Sequence, residues 1–185
     1  MQWLKSARIF WLTALTTALA LLCVVPAPTF AQDGAVAESV PVVDLPTAPA
    51  IQWMETLYRR IQEEGVSAPG ASRIYGYAGV TMYESLLGGM PNNITLAGQI
   101  YHLPDLPYPE EDVVYDWLSV MNGAMSTVLP ELFYKATPDT AKAFADLRKE
   151  QIADRTKEVG KDVVTDSVAF GDTIGVAILD WIAGD

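Results

Sequence analysis

The chain has 185 residues, with 12 Lys and Arg against 23 Asp and Glu, a formal net charge of −11 and 50% hydrophobic residues. An acidic surface without clustered Lys or Arg argues against a nucleic-acid or anionic-membrane partner, because phosphate binding needs a basic patch. The single cysteine, Cys23, leaves no disulfide and no zinc-thiolate pair, so packing must supply the stability.

The first 31 residues are expected to be a secretory signal peptide. Lys5 and Arg8 form a basic start, Ile9 to Val25 an apolar run, Pro26 and Pro28 a break, and small residues lead to a cut after Ala31. Export to the periplasm or the extracellular space follows, with no stable membrane anchor after cleavage. Cys23 is preceded by Leu22 where a lipoprotein signal needs a small residue, so lipid attachment is not expected. Residues 32–50, rich in Pro, Ala and Val, read as an extended leader, and residues 51–185 as one helical domain.

Helix one is carried by Ile51, Met54, Leu57, Tyr58 and Ile61, spaced by three and four, and stops at Gly65. Helix two starts near Ser67 or Ala68 with Pro69 in its first turn and ends at Gly88 and Gly89. It is apolar on most sides, which predicts a central, buried helix. Arg73, Tyr77, Val80, Glu84 and Leu87 share one of its faces; Ser72, Gly76, Gly79 and Tyr83 form a small-residue stripe fit for a close backbone neighbour. Arg73 and Glu84 lie about 16 Å apart along the axis, so each needs its own partner.

A long loop with Gly, Pro and Asn follows and holds the lone histidine, His102, and the glycosylation-type triplet Asn93-Ile94-Thr95. Helix three is expected from about Glu110 to Phe133, with Glu110, Glu111 and Asp112 at its positive end and Pro130 ending or kinking it. Thr137 is the expected N-cap of a polar helix four, with Pro138 at its first position. Helix five spans about Lys161 to Ala183, with Ser167, Gly171 and Gly175 on one face. The fold class is all-α, a bundle of about five helices.

No catalytic, cofactor-binding or metal-binding residue is assigned. His102 has no second His or Cys to complete a metal site. Glu110, Glu111, Asp112 and Asp116 lack the Gly and alternating oxygens of a calcium loop. No nucleophile elbow, phosphate loop, His-Glu-x-x-His or Cys-x-x-Cys occurs.

The stretch ASRIYGYAGVTMYESLLGGMPNNITLAGQI, followed by LPDLP, DWLSVMNGAMSTVLPELF and DSVAFGDTIGVAILDWIAGD, resembles the N-terminal helical region of bacterial vanadium-dependent haloperoxidase-like proteins of the type-two phosphatidic acid phosphatase superfamily. The resemblance implies an all-α fold in which Lys, Arg and His hold vanadate or phosphate. The family's Lys...Arg-Pro, Pro-Ser-Gly-His and Ser-Arg...His...Asp segments are absent here. No family site residue is therefore carried over, and vanadate or phosphate is implied only for a full-length relative.

Helix five places Phe170, Ile174, Ile178, Leu179, Trp181 and Ile182 near the end of the chain without a polar last turn. The expected partner is a catalytic half missing from this chain, or a second copy docked through helix five. Arg73 and Glu84 would brace helix two against that missing half. A free-standing periplasmic binding or scaffold protein is the alternative.

Overall fold

The computed structural model describes residues 38–133 and 135–184. The expected signal peptide and the first residues of the leader lie outside them. Five α-helices form the body: α1 Ala48–Glu63, α2 Ala68–Leu86, α3 Trp117–Leu132, α4 Pro138–Val159 and α5 Lys161–Ala183. Short 3-10 turns occupy Val42–Asp44 and Leu87–Gly89. Among the described residues there is no strand, and no helix is long and apolar enough to cross a membrane. The all-α class and the helix count match the hydrophobic periodicity.

The body is organised around α3, and its sequence shows why. Leu118, Met121, Met125 and Leu129 form one 3-4-4 stripe, and Trp117, Val120, Ala124 and Val128 form a second beside it; all eight are buried. The first stripe packs with Trp53, Leu57 and Ile61 of α1, Ile74 and Ala78 of α2, and Phe144 and Leu147 of α4. The second packs with Tyr115 and with Ile174 and Ile178 of α5. A helix carrying two adjacent apolar stripes must be covered from two directions, which makes it the centre of the bundle. Helix two, expected to be central, is instead peripheral: Ser72, Arg73, Gly76 and Gly79 are exposed.

Three further expectations need correction. Helix one buries Leu57 and Ile61 as expected, and also Trp53, while Ile51 and Tyr58 face solvent; the indole of Trp53 stacks on Phe144 and donates to Gln151 Oε1 at 3.0 Å, which turns the buried face toward Trp53. It also starts three residues before Ile51, at Ala48. Helix three begins at Trp117 rather than near Glu110, because tertiary partners take the amides before it: Tyr115 N–H donates to Ser39 Oγ at 2.8 Å and Asp116 N–H to Ser167 Oγ at 2.9 Å. Asp116 then caps the helix by accepting from Ser119 N–H at 3.1 Å. Pro130 sits in the final turn, two residues before the helix ends.

The apolar face of helix five is mostly covered within the chain. Ile174 and Ile178 are buried, and Phe170, Leu179, Trp181 and Ile182 are partly buried. Its glycines make this possible. A Cβ on Gly171 would lie 2.0 Å from Val120 O, one on Gly175 2.7 Å from Thr127 Cβ, and one on Gly123 of α3 2.4 Å from Val168 O. The helix backbones touch there, as the spacing of Ser167, Gly171 and Gly175 predicts.

Between α4 and α5 stands only Gly160, at φ 90°, a conformation that favours glycine. At the start of α4, Thr137 makes no side-chain cap of its own. The carboxylate of Glu64, at the end of α1, takes the Thr137 N–H at 3.0 Å and the hydroxyls of Thr137 and Thr140. These bonds hold the Glu64 carboxyl below its ordinary range.

Candidate functional site

Glu84 lies in the last turn of α2 and is only 6% exposed. Its carboxylate organises the long loop that follows. Oε1 accepts Leu96 N–H at 2.6 Å, and the Thr95 hydroxyl lies 3.2 Å from Oε1 and 3.0 Å from Oε2. The same hydroxyl oxygen accepts Ala97 N–H at 3.0 Å, and Tyr83 Oη donates to Ile94 O at 2.8 Å. The loop is thus wound onto an acidic residue at a helix end, with one short bond, from the Leu96 amide. Glu84 therefore finds its partners inside this chain, contrary to the expectation of a bracing contact with an absent half. The hydroxyl of the glycosylation-type triplet is engaged in the same network, while Asn93 is exposed.

Behind Glu84 the chain turns at Gly88 and Gly89 so that the indole of Trp117 lies on their backbone; a Cβ at either would approach a ring atom to 2.3 or 2.4 Å. The turn, the indole, Met90, Tyr108, Phe170 and Ile174 enclose a cleft of about 410 Å³ with Glu84 in its lining. Asp105 is the other carboxylate there, and no Lys, Arg or His is among the described lining residues. The walls are mainly apolar, in part from Pro91, Pro107 and Pro109. This is the pattern of a small-molecule site: apolar walls with few polar groups.

The other sequence candidates lie apart from this cleft. His102 is exposed, at φ 58°, with its ring 3.7 Å from that of Tyr101. It borders a separate depression of about 280 Å³ with Asp180 and Trp181, where Trp181 Nε1–H donates to Tyr101 O at 3.0 Å. Glu110, Glu111 and Asp112 are exposed on the loop, whereas Asp116 is buried. Among the described residues no group of three His, Cys, Asp or Glu is placed to hold a metal ion.

Two arginines of α4 form pairs that the sequence reading missed. Arg155 donates from Nε to Asp116 Oδ2 at 3.0 Å and from Nη2 to Oδ1 at 2.7 Å, and also meets Glu158. Ser119 Oγ–H donates to Asp116 Oδ2 at 2.6 Å. The bonds to Asp116 raise the Arg155 pKa further, so the group stays charged although buried. Arg148 makes a second forked pair with Asp172 of α5, both bonds at 2.9 Å. The signal available was their separation of seven, which puts both on one face of a helix that otherwise reads as polar. Each guanidinium is neutralised by a carboxylate, so the pairs serve as pins between helices.

Arg73 also has a partner in the chain. Its Nε–H donates to Tyr77 Oη at 2.8 Å, and its guanidinium carbon lies 5.5 Å from the centre of that ring. The two line an open groove of about 470 Å³ with Ile74, Leu132, Phe133 and Ile182.

No protein-family model and no curated protein matches the chain. Among solved structures, a bacterial vanadium-dependent iodoperoxidase, described as the first of its kind, is similar in fold, with a TM-score of 0.68 at 20% identity. The likeness covers 80% of this chain and 34% of that one, so this chain spans about a third of the length of the solved relative. Over that region the chain has a haloperoxidase-like helical fold.

Proposed function

We propose that this chain is an exported helical segment equivalent to the N-terminal part of a vanadium-dependent haloperoxidase-like or phosphatidic acid phosphatase-like protein, and that it is not catalytic by itself. The observation that carries the reading is the fold likeness to a vanadium-dependent iodoperoxidase over about a third of that protein's length. The chemistry supports it. Vanadate or phosphate chemistry of that kind needs several converging cations and an imidazole. Here Arg148 and Arg155 are each committed to a carboxylate, and His102 stands on an exposed loop. A partner supplying the oxyanion site, or a second copy docked through α5, completes this reading.

The test is to purify the chain and assay phosphatase activity and iodide and bromide oxidation with and without vanadate. No turnover above background is expected. Activity lost in His102→Ala would overturn the non-catalytic reading. An in-frame downstream sequence containing Pro-Ser-Gly-His would support the segment reading, and mass spectrometry of the exported product tests cleavage after Ala31. A second reading, a free-standing binding or scaffold protein, is favoured by one observation: Glu84 and most of the apolar face of α5 find their partners within the chain. A monodisperse monomer with a sharp melt and no hydrophobic-dye binding would decide for it.

A further inference from the structure

We propose that the cleft beside Glu84 binds a small apolar molecule bearing one ammonium group, with the ammonium directed to the Glu84 carboxylate and the apolar part against Trp117, Phe170 and Ile174. Glu84 is 6% exposed, and its neighbours are one amide, that of Leu96, and one hydroxyl, that of Thr95. No Lys, Arg or His is among the described lining residues of the cleft. Buried carboxylates are ordinarily paired with a cation, because desolvating an unpaired one is costly.

The contrast inside the molecule is direct. Asp116, buried to a similar degree, is met by two hydrogen bonds from Arg155. Glu84 has no such partner among the described residues, yet it lies against a cleft rather than in packed core.

The free acceptor positions fit this occupant. An ionised carboxylate offers about four lone-pair positions, and the Thr95 hydroxyl has one proton to give, so Oε2 keeps capacity for a further donor. Asp105 adds a second negative charge to the lining, and the ring faces of Trp117 and Phe170 suit a cation or an apolar body. At about 410 Å³ the cleft matches the lower range of small-molecule sites, about 300–1,000 Å³. This assignment is independent of the haloperoxidase-like reading, since an oxyanion would be repelled here.

Isothermal titration of the full chain at about 0.15 M ionic strength, where diffuse surface attraction is screened, decides the matter. The probes are 2-phenylethylammonium, 2-phenylethanol and 3-phenylpropanoate, which share a ring and differ in charge. Saturable one-to-one binding of the ammonium is expected, with the alcohol and the carboxylate at least about tenfold weaker, the loss of one charge-assisted bond. Glu84→Gln, which keeps an acceptor for Leu96 N–H, should lower ammonium affinity about tenfold and leave the alcohol unchanged. Met90→Trp should fill the cleft and abolish binding of all three. Absence of saturable binding, equal affinity for the ammonium and the carboxylate, or ammonium binding that survives Met90→Trp would overturn the proposal. That last outcome stands even where Glu84→Gln fails to fold.

Discussion

Two helices of this chain carry the same kind of small-residue stripe, and they meet opposite fates. On α5, Ser167, Gly171 and Gly175 are all buried against α3, close enough for a Cβ on Gly171 to sit 2.0 Å from a carbonyl oxygen. On α2, Ser72, Gly76 and Gly79 are exposed, and a Cβ on either glycine would meet nothing within 4 Å. Small residues permit two backbones to approach; they do not drive the approach. What separates the stripes is the residues beside them. Val168, Ile174 and Ile178 flank the α5 stripe and are buried, while Arg73 and Tyr75 flank the α2 stripe, the former exposed and the latter partly so. Burial of large side chains supplies the driving force, and the glycines set how close the helices come.

The largest loss is expected at the polar end of the α3–α5 seam. There Arg155 neutralises Asp116, whose amide is tied to Ser167. Arg155→Met should cost about 3–5 kcal/mol, because it leaves a buried carboxylate without its cation. Chemical denaturation measures this, and a loss below about 1 kcal/mol would show that water reaches Asp116.

Inside the seam, Gly171→Ala should destabilise by about 1–3 kcal/mol, since the added methyl forces backbone rather than a flexible side chain to move. On the outer stripe the sign reverses. Gly76→Ala and Gly79→Ala should each stabilise by about 0.5–1 kcal/mol through helix propensity, with no steric cost. Melting curves of the three variants side by side make the sharpest test: destabilisation at Gly76 or Gly79 would mean that the outer face of α2 is covered in solution.

The smallest expected effect lies away from both stripes, at the junction of α1 and α4. The Glu64 carboxyl titrates below its ordinary value because the Thr137 and Thr140 hydroxyls donate to it. A depressed carboxyl contributes stability that is present above its unfolded-state value and is lost as pH falls through its folded value. The melting temperatures of the wild type and Glu64→Gln should therefore differ modestly near neutrality and converge as the pH falls below the ordinary glutamate value. A gap that persists at the acid end would assign the contribution to packing.

The elements were legible in the chain: five helices, with Gly65 and Gly88 at or near two of their ends, Pro69 and Pro138 in first turns, and the glycine register of α5. These follow from local rules of periodicity, capping and backbone freedom, which act within a few residues of one another. Tertiary structure decided the rest. It brought α1, α2 and α4 onto one apolar stripe of α3 and α5 onto the other, which places α3 and not α2 at the centre. It also delayed the start of α3 by assigning the Tyr115 and Asp116 amides to Ser39 and Ser167, residues 76 and 51 positions away. The partners of Glu84 were hidden for the same reason: the Leu96 amide and the Thr95 hydroxyl stand 12 and 11 residues along an irregular loop. Periodicity carries no information about where such a loop returns, and only the fold brings those donors to the carboxylate.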